Sequence, residues 1–184
     1  MTSSVAPAAV GIYSRPQAWR QNGLVALEEF KMNPAVAWGL EHEKDALWEY
    51  ECLTGNIPTE TLDNQRFYVH QEYPWLGATP DGKIGSDGSL ELKCPMSLPD
   101  EPTAAWLVQT NVQMEVCRRV FCDIVAWSEQ ETRVWRVCRS FEFFRQIRPY
   151  LMAFYRSIRD LQAPPRFKRK PKLDYSVIAW ERVH

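Results

Sequence analysis

Between residues 34 and 54 the positions Val36, Leu40, Glu43, Leu47 and Tyr50 fall four, three, four and three apart. That spacing predicts one amphipathic helix from Asn33-Pro34 to about Thr54-Gly55, with a carboxylate in the middle of its apolar face. A second helical stripe, Trp106, Gln109, Gln113, Val116 and Val120, predicts a helix over 101–119 that carries two amides one turn apart. A third helix is expected over 141–162. The N-terminal residues predict a short helix capped by Thr2, Ser3 or Ser4, then another from the Ser14 cap through Pro16 to Gly23. Alternation by two marks the strands: 65–71, Leu90 to Cys94, 120–128 and 132–139, with turns at Thr79-Pro80-Asp81-Gly82, at 85–89 and at 128–131. Helices first, then hairpin, helix, hairpin and helix, imply an α/β domain with a small mixed sheet flanked by helices. Residues 1–163 read as one domain, and 164–184 as a tail that is basic first and then apolar.

Composition narrows the class. The chain has 184 residues, 45% of them hydrophobic, with eight Trp, enough to bury a core and too apolar for disorder. A net charge of −1 means that any nucleic-acid partner is met by a local basic groove rather than by a global field. Five cysteines without a CxxC pair read as reduced core thiols of an intracellular protein, in a bacterial cytoplasm or a nucleus. No apolar run reaches the roughly 20 residues of a membrane span.

The chemistry starts at "GATPDGKIGSDGSLELKCP", residues 77–95. On the second arm Leu90, Leu92 and Cys94 point one way and Glu91 and Lys93 the other. A three-residue loop Gly85-Ser86-Asp87 would pair Ile84 with Gly88 and bring Asp81 opposite Glu91. A Ser86-Asp87 loop would instead oppose Asp81 to Leu92, and an Asp87-Gly88 turn would oppose it to Cys94. In isolation, Glu91 and Lys93 also suit a solvated strand face and Asp81 a turn. An inward carboxylate at Glu43 needs a partner, either an ion shared with Asp81 and Glu91 or a lysine, Lys44 or Lys93. Gln109 and Gln113 need buried partners too, unless they lie at the edge of their helix face.

Trp38-Gly39-x-x-x-Glu43, Thr79-Pro80-Asp81-Gly82, Leu90-Glu91-Leu92-Lys93-Cys94-Pro95 and Gln109-x-x-x-Gln113-Met114, in this order, resemble the YqaJ-like viral recombinase (lambda exonuclease) family of restriction-endonuclease-like, PD-D/ExK nucleases. The resemblance covers roughly residues 2–160. It implies a Mg²⁺-dependent deoxyribonuclease, a 5′→3′ exonuclease on double-stranded DNA that serves recombination with a single-strand-annealing partner and works as a homo-oligomer. Asp81, Glu91 and the main-chain carbonyl of Leu92 would hold the first of two Mg²⁺ or Mn²⁺ ions. Lys93 would orient and activate the attacking water, with Glu43 and Gln109 in support. Where the family has a further acid for the second ion this chain has Gln71, and Glu72 or His70 would substitute. Ser4, or Ser3, and Thr79 match hydroxyls that grip a terminal 5′-phosphate. The family's upstream Arg has no counterpart, so either an N-terminal segment is missing or Arg15 or Arg20 replaces it.

Candidate DNA contacts are Arg118 and Arg119 and, in the tail, Arg166, Lys168, Arg169, Lys170 and Lys172, although a solvated basic linker accounts equally for the latter. Trp75 would stack on a terminal base pair or pack in the core. The competing functions are a structure-specific or nicking endonuclease on the same fold and a catalytically inactive DNA-end binder.

Overall fold

The computed structural model describes residues 1–22, 34–165 and 167–184. The expected helix limits Gly23 and Asn33, and the candidate contact Arg166, lie outside them. A 3₁₀ turn at Ser3–Val5 continues into α1 (Ala6–Ala9). Thr2 stands at its N-cap without a side-chain cap bond, its hydroxyl turned instead to Ser4 Oγ at 2.9 Å. α2 spans Arg15–Asn22, with Ser14 Oγ accepting from the Gln17 N–H at 3.4 Å.

The long helix expected over 34–54 is two helices, α3 (Pro34–Glu41) and α4 (Glu43–Thr54), which break at His42. The aromatics explain the break. His42 is wedged between the rings of Trp38 at 4.0 Å and Trp127 at 4.9 Å, so α3 presents Trp38 to the sheet and leaves Val36 and Leu40 exposed, Leu40 at 55%. Only the α4 half of the predicted stripe, Leu47 and Tyr50, is buried. Glu43 therefore opens a helix, half-buried, rather than sitting mid-face.

The expected strand 65–71 is reduced to β1 (Tyr68–Val69), paired with β2 (Gly77–Ala78). β3 (Gly82–Ile84) and β4 (Gly88–Lys93) form the hairpin, joined by Gly85, Ser86 and Asp87. Gly85 takes φ +56°, a left-handed value that glycine adopts without a Cβ clash. α5 (Ala104–Cys117) crosses from β4 to β5 (Phe121–Trp127), and β6 (Thr132–Cys138) and α6 (Phe141–Arg159) follow. Thr103 caps α5 by accepting from the Trp106 N–H at 3.3 Å, and Ser140 caps α6. α5 stops where Arg118 turns left-handed at φ 55°, so Val120, assigned above to its stripe, is exposed.

The main sheet has five strands in the order β3-β4-β5-β6-β7, where β7 is Trp180–Arg182 on the outer edge of β6. Only β4 and β5 run parallel, as a crossover through a helix requires. One face carries Cys122, Ile124, Ala126, Trp135 and Val137 against α1, α5 and α6. The other carries Leu90, Leu92, Val125, Trp127 and Val134 against α4. Three cysteines join these cores. Cys52 and Cys138 are exposed, which corrects the expectation that all five are core thiols; none is in a disulfide.

Candidate active site

Of the three hairpin registers left open, the chain adopts the one with Ile84 opposite Gly88, Lys83 opposite Ser89 and Gly82 opposite Leu90. One step further out, the Asp81 N–H donates to the Leu90 carbonyl at 3.0 Å, so Asp81 faces Glu91 across the ribbon. Alternation then puts Glu91 and Lys93 on the face of β4 that α5 covers. This face is not solvated: Glu91 is only 3% exposed.

Glu91 Oε1 receives the Lys93 ammonium at 2.6 Å and the Gln109 amide at 2.5 Å. Lys93 Nζ also donates to Gln109 Oε1 at 3.3 Å, closing a triangle of carboxylate, ammonium and amide. Glu91 Oε2 is buried without a hydrogen-bond partner among the described residues. Asp81 Oδ2 accepts from the Leu92 N–H at 2.7 Å and Oδ1 from the Gln65 amide at 3.0 Å. Gln113, one turn beyond Gln109, is fully buried and donates to the Leu90 carbonyl at 3.4 Å, with its own Oε1 unpaired.

Electrostatics tie these groups together. Burial, and then the charge of Glu91, push the Asp81 carboxyl well above its ordinary range. Burial opposes the charge on Lys93, but Glu91 and Asp81 outweigh it and the ammonium is held more firmly than usual. Glu43 is raised by burial, against the pull of Lys93, and feels Glu91 as well. The α4 terminus therefore lies within electrostatic reach of the hairpin. Among the described residues no group of three or more His, Cys, Asp or Glu side chains is placed to hold a metal ion.

The other singled-out residues lie apart from this triangle. Gln71 and Glu72 are exposed, and Gln71 accepts from Arg118 at 3.4 Å. His70 is buried, its Nδ1 accepting from the Glu72 and Tyr73 N–H groups at 3.1 and 3.2 Å. Ser4 and Thr79 are exposed and Ser3 is buried. Arg119 donates to the Ser86 carbonyl. Trp75 stacks on Tyr155, centroids 5.1 Å apart, and so packs against α6. Arg15 is buried at the start of α2, donating to the Pro165 carbonyl at 2.7 Å.

Two residues at the site escape a reading of the sequence. Gln65 bonds Asp81 from a short loop with no periodicity to flag it. Tyr13 acts electrostatically on Lys93 from the turn between α1 and α2.

The fold is shared with known structures. LHK-Exo, an alkaline exonuclease from Laribacter hongkongensis, superposes with a TM-score of 0.73 at 22% identity over 88% of each chain. Its complex with dAMP gives 0.72 at 23% over the same shares. A phage-related exonuclease from Haemophilus somnus 129PT gives 0.66 at 14%, over 88% of this chain and 94% of that one. No curated protein sequence matches the chain. The sequence profile of the YqaJ-like viral recombinase domain matches residues 1–117, a span that includes α5 and the whole β3–β4 ribbon: the chain belongs to the YqaJ-like viral recombinase domain family.

Proposed function

We propose that the chain is a divalent-metal-dependent deoxyribonuclease that degrades double-stranded DNA from its ends in the 5′→3′ direction, in the service of recombination. The observation that carries the reading is the Asp81–Glu91 pairing across the ribbon, with Lys93 and Gln109 on Glu91 and one Glu91 oxygen buried and unpartnered.

The donor set suits a hard cation. Asp81 and Glu91 offer carboxylate oxygens and Leu92 a main-chain carbonyl, the ligand types Mg²⁺ prefers, and Mg²⁺ completes its shell with water and substrate rather than a full protein cage. The orphaned Glu91 Oε2 is the atom such an ion would satisfy. Asp81, Glu91 and Leu92 would hold the first ion, and Glu72 is the proposed acid for a second. When bound, the metal supplies a water of lowered pKa and charge neutralisation at the phosphate.

The chain's own groups do the rest. Lys93, firmly protonated, offers N–H donors to the attacking water and to negative charge developing on the phosphate. Gln109 keeps that ammonium and the Glu91 carboxylate in register, because its amide bonds both. Glu43, at the start of α4, supports the site through water or phosphate contacts. Ser4 and Thr79 are the hydroxyls proposed for a terminal 5′-phosphate, and Arg118 and Arg119 the phosphate contacts beside α5. A single-strand-annealing protein and further copies of this chain are the proposed partners. Among the described residues no helix is long and apolar enough to cross a membrane.

End-labelled linear duplex with 5′-phosphate or 5′-hydroxyl ends, incubated with Mg²⁺ or EDTA, tests the reading. Wild type is expected to shorten the 5′-phosphorylated duplex in Mg²⁺, Lys93→Ala not to, and covalently closed plasmid to survive. Nicking of the plasmid would make it an endonuclease; DNA retained but never shortened would make it a binder.

A further inference from the structure

A second basic feature lies outside the triangle of Glu91, Lys93 and Gln109. A cavity of about 280 Å³ opens between the α1–α2 turn and the chain after Pro165, lined by Gly11, Tyr13, Ser14, Arg15, Phe167 and Lys170 together with Pro16. No lining residue is acidic. Phe167 roofs it, its ring so close to Gly11 that a Cβ there would meet it at 2.9 Å.

Arg15 is the anomaly. It is 6% exposed, yet among the described residues its guanidinium has no carboxylate partner. One N–H reaches the Pro165 carbonyl, the rings of Phe167 and Phe154 lie 4.1 and 5.7 Å from Cζ, and Nε has no partner among the described residues. Burial pulls its pKa down. A guanidinium has five N–H donors in a planar fork, and for a buried one a single carbonyl and two aromatic rings leave most of those donors unused. Lys170, exposed at the rim, has no ion-pair partner among the described residues. Ser14 adds a hydroxyl and the start of an eight-residue helix. Two cations, hydroxyls and a helix N-terminus around an acid-free cavity suit a phosphate group.

Position identifies the source. The cavity opens just beyond α1, which packs on α5, the helix that carries Gln109, so it lies on the face of the sheet that bears Glu91 and Lys93. We infer that this cavity binds a backbone phosphate of the nucleic-acid strand, at a step removed from the bond held at Asp81 and Glu91, with Arg15 and Lys170 as its cations. The assignment to a DNA strand rests on the nuclease reading; the anion site itself does not.

The test is fluorescence anisotropy of a short 5′-hydroxyl single-stranded oligonucleotide with the full chain in EDTA, as a function of salt, for wild type, Lys170→Ala and Lys170→Glu. Thermal melts check folding. Removing one phosphate contact on a single strand is expected to lower the slope of log affinity against log salt by about 0.7, and charge reversal to weaken binding about tenfold at low salt. Inorganic phosphate should compete with the oligonucleotide on wild type and less on Lys170→Glu. Equal slopes and affinities in all three proteins would overturn the site. A deoxynucleoside monophosphate that competes while a 5′-hydroxyl dinucleotide does not would overturn the strand assignment, making the cavity a monoester site. Duplex cleavage by wild type in Mg²⁺ is scored separately, so failure of the nuclease reading and failure of this site give different results.

Discussion

Replacing Lys93 with Met keeps the length of the side chain and removes its charge, leaving Glu91 buried with only the Gln109 amide on its carboxylate. At 2.6 Å the ion pair has a Coulomb attraction of about 6 kcal/mol for an effective dielectric near 20, much of it spent on desolvating both groups. Removing one partner of a buried pair costs about 3–5 kcal/mol. Lys93 keeps 23% of its side chain exposed against 4% for Glu91, so the low end applies, roughly 3 kcal/mol. For a domain of this size that is a fall in Tm of about 6–12 °C. Urea unfolding in EDTA, followed by tryptophan fluorescence, measures it. The double variant Glu91→Leu/Lys93→Met should recover part of the loss, because the buried Glu91 charge is removed together with its partner. Saturating Mn²⁺ should stabilise Lys93→Met more than wild type, since one cation stands in for another. A Lys93→Met protein within about 0.5 kcal/mol of wild type in EDTA, with no coupling to Glu91, would refute the reasoning.

Gln65→Ala frees Asp81 Oδ1 from its amide; turnover should fall by about tenfold or less through kcat with KM nearly unchanged, and Gln65→Asn should restore part of it if positioning is the role. His70 is held neutral by burial against the pull of Glu115 and Glu72, packed on Tyr73 and Phe144. Its folded pKa lies below that of the unfolded chain, so its contribution to stability is complete above about pH 6.5 and is lost as pH falls toward the folded value. Melts at pH 8 and 5.5 should show that loss in wild type and a smaller one in His70→Gln. Arg136 forks onto the fully buried Asp123 at 2.8 Å, and Tyr50 donates to the same carboxylate at 2.8 Å. Arg136→Met should therefore destabilise clearly in urea, while Arg133→Met, which breaks a solvated pair with Glu131 and Asp100, should not.

The hairpin was legible in the sequence because its determinants are local. A glycine at 85 suits the left-handed loop position, and alternation assigns each side chain a face, so one count outward brings Asp81 to Glu91. The helix over 104–117 was legible from its period, and that over 141–159 lies within the expected 141–162. What the sequence hides is set by distant partners. The break at His42 depends on Trp127, more than eighty residues away, and the face of Glu91 looks solvated until α5 is laid over it. Residues 180–182 read as the end of a tail, yet Trp180 pairs with Val137 and Arg182 with Trp135 on the edge of β6, an edge that no local signal marks as free. Gln65 reaches Asp81 from a loop, where neither spacing nor composition records a tertiary bond.

Crystals soaked in Mn²⁺ and measured at the manganese absorption edge test the central claim most directly. An anomalous peak bonded to Asp81, Glu91 and the Leu92 carbonyl, and lost in Asp81→Asn, is the predicted result. No peak there, with Glu91 bonded only to Lys93, Gln109 and solvent, would contradict it.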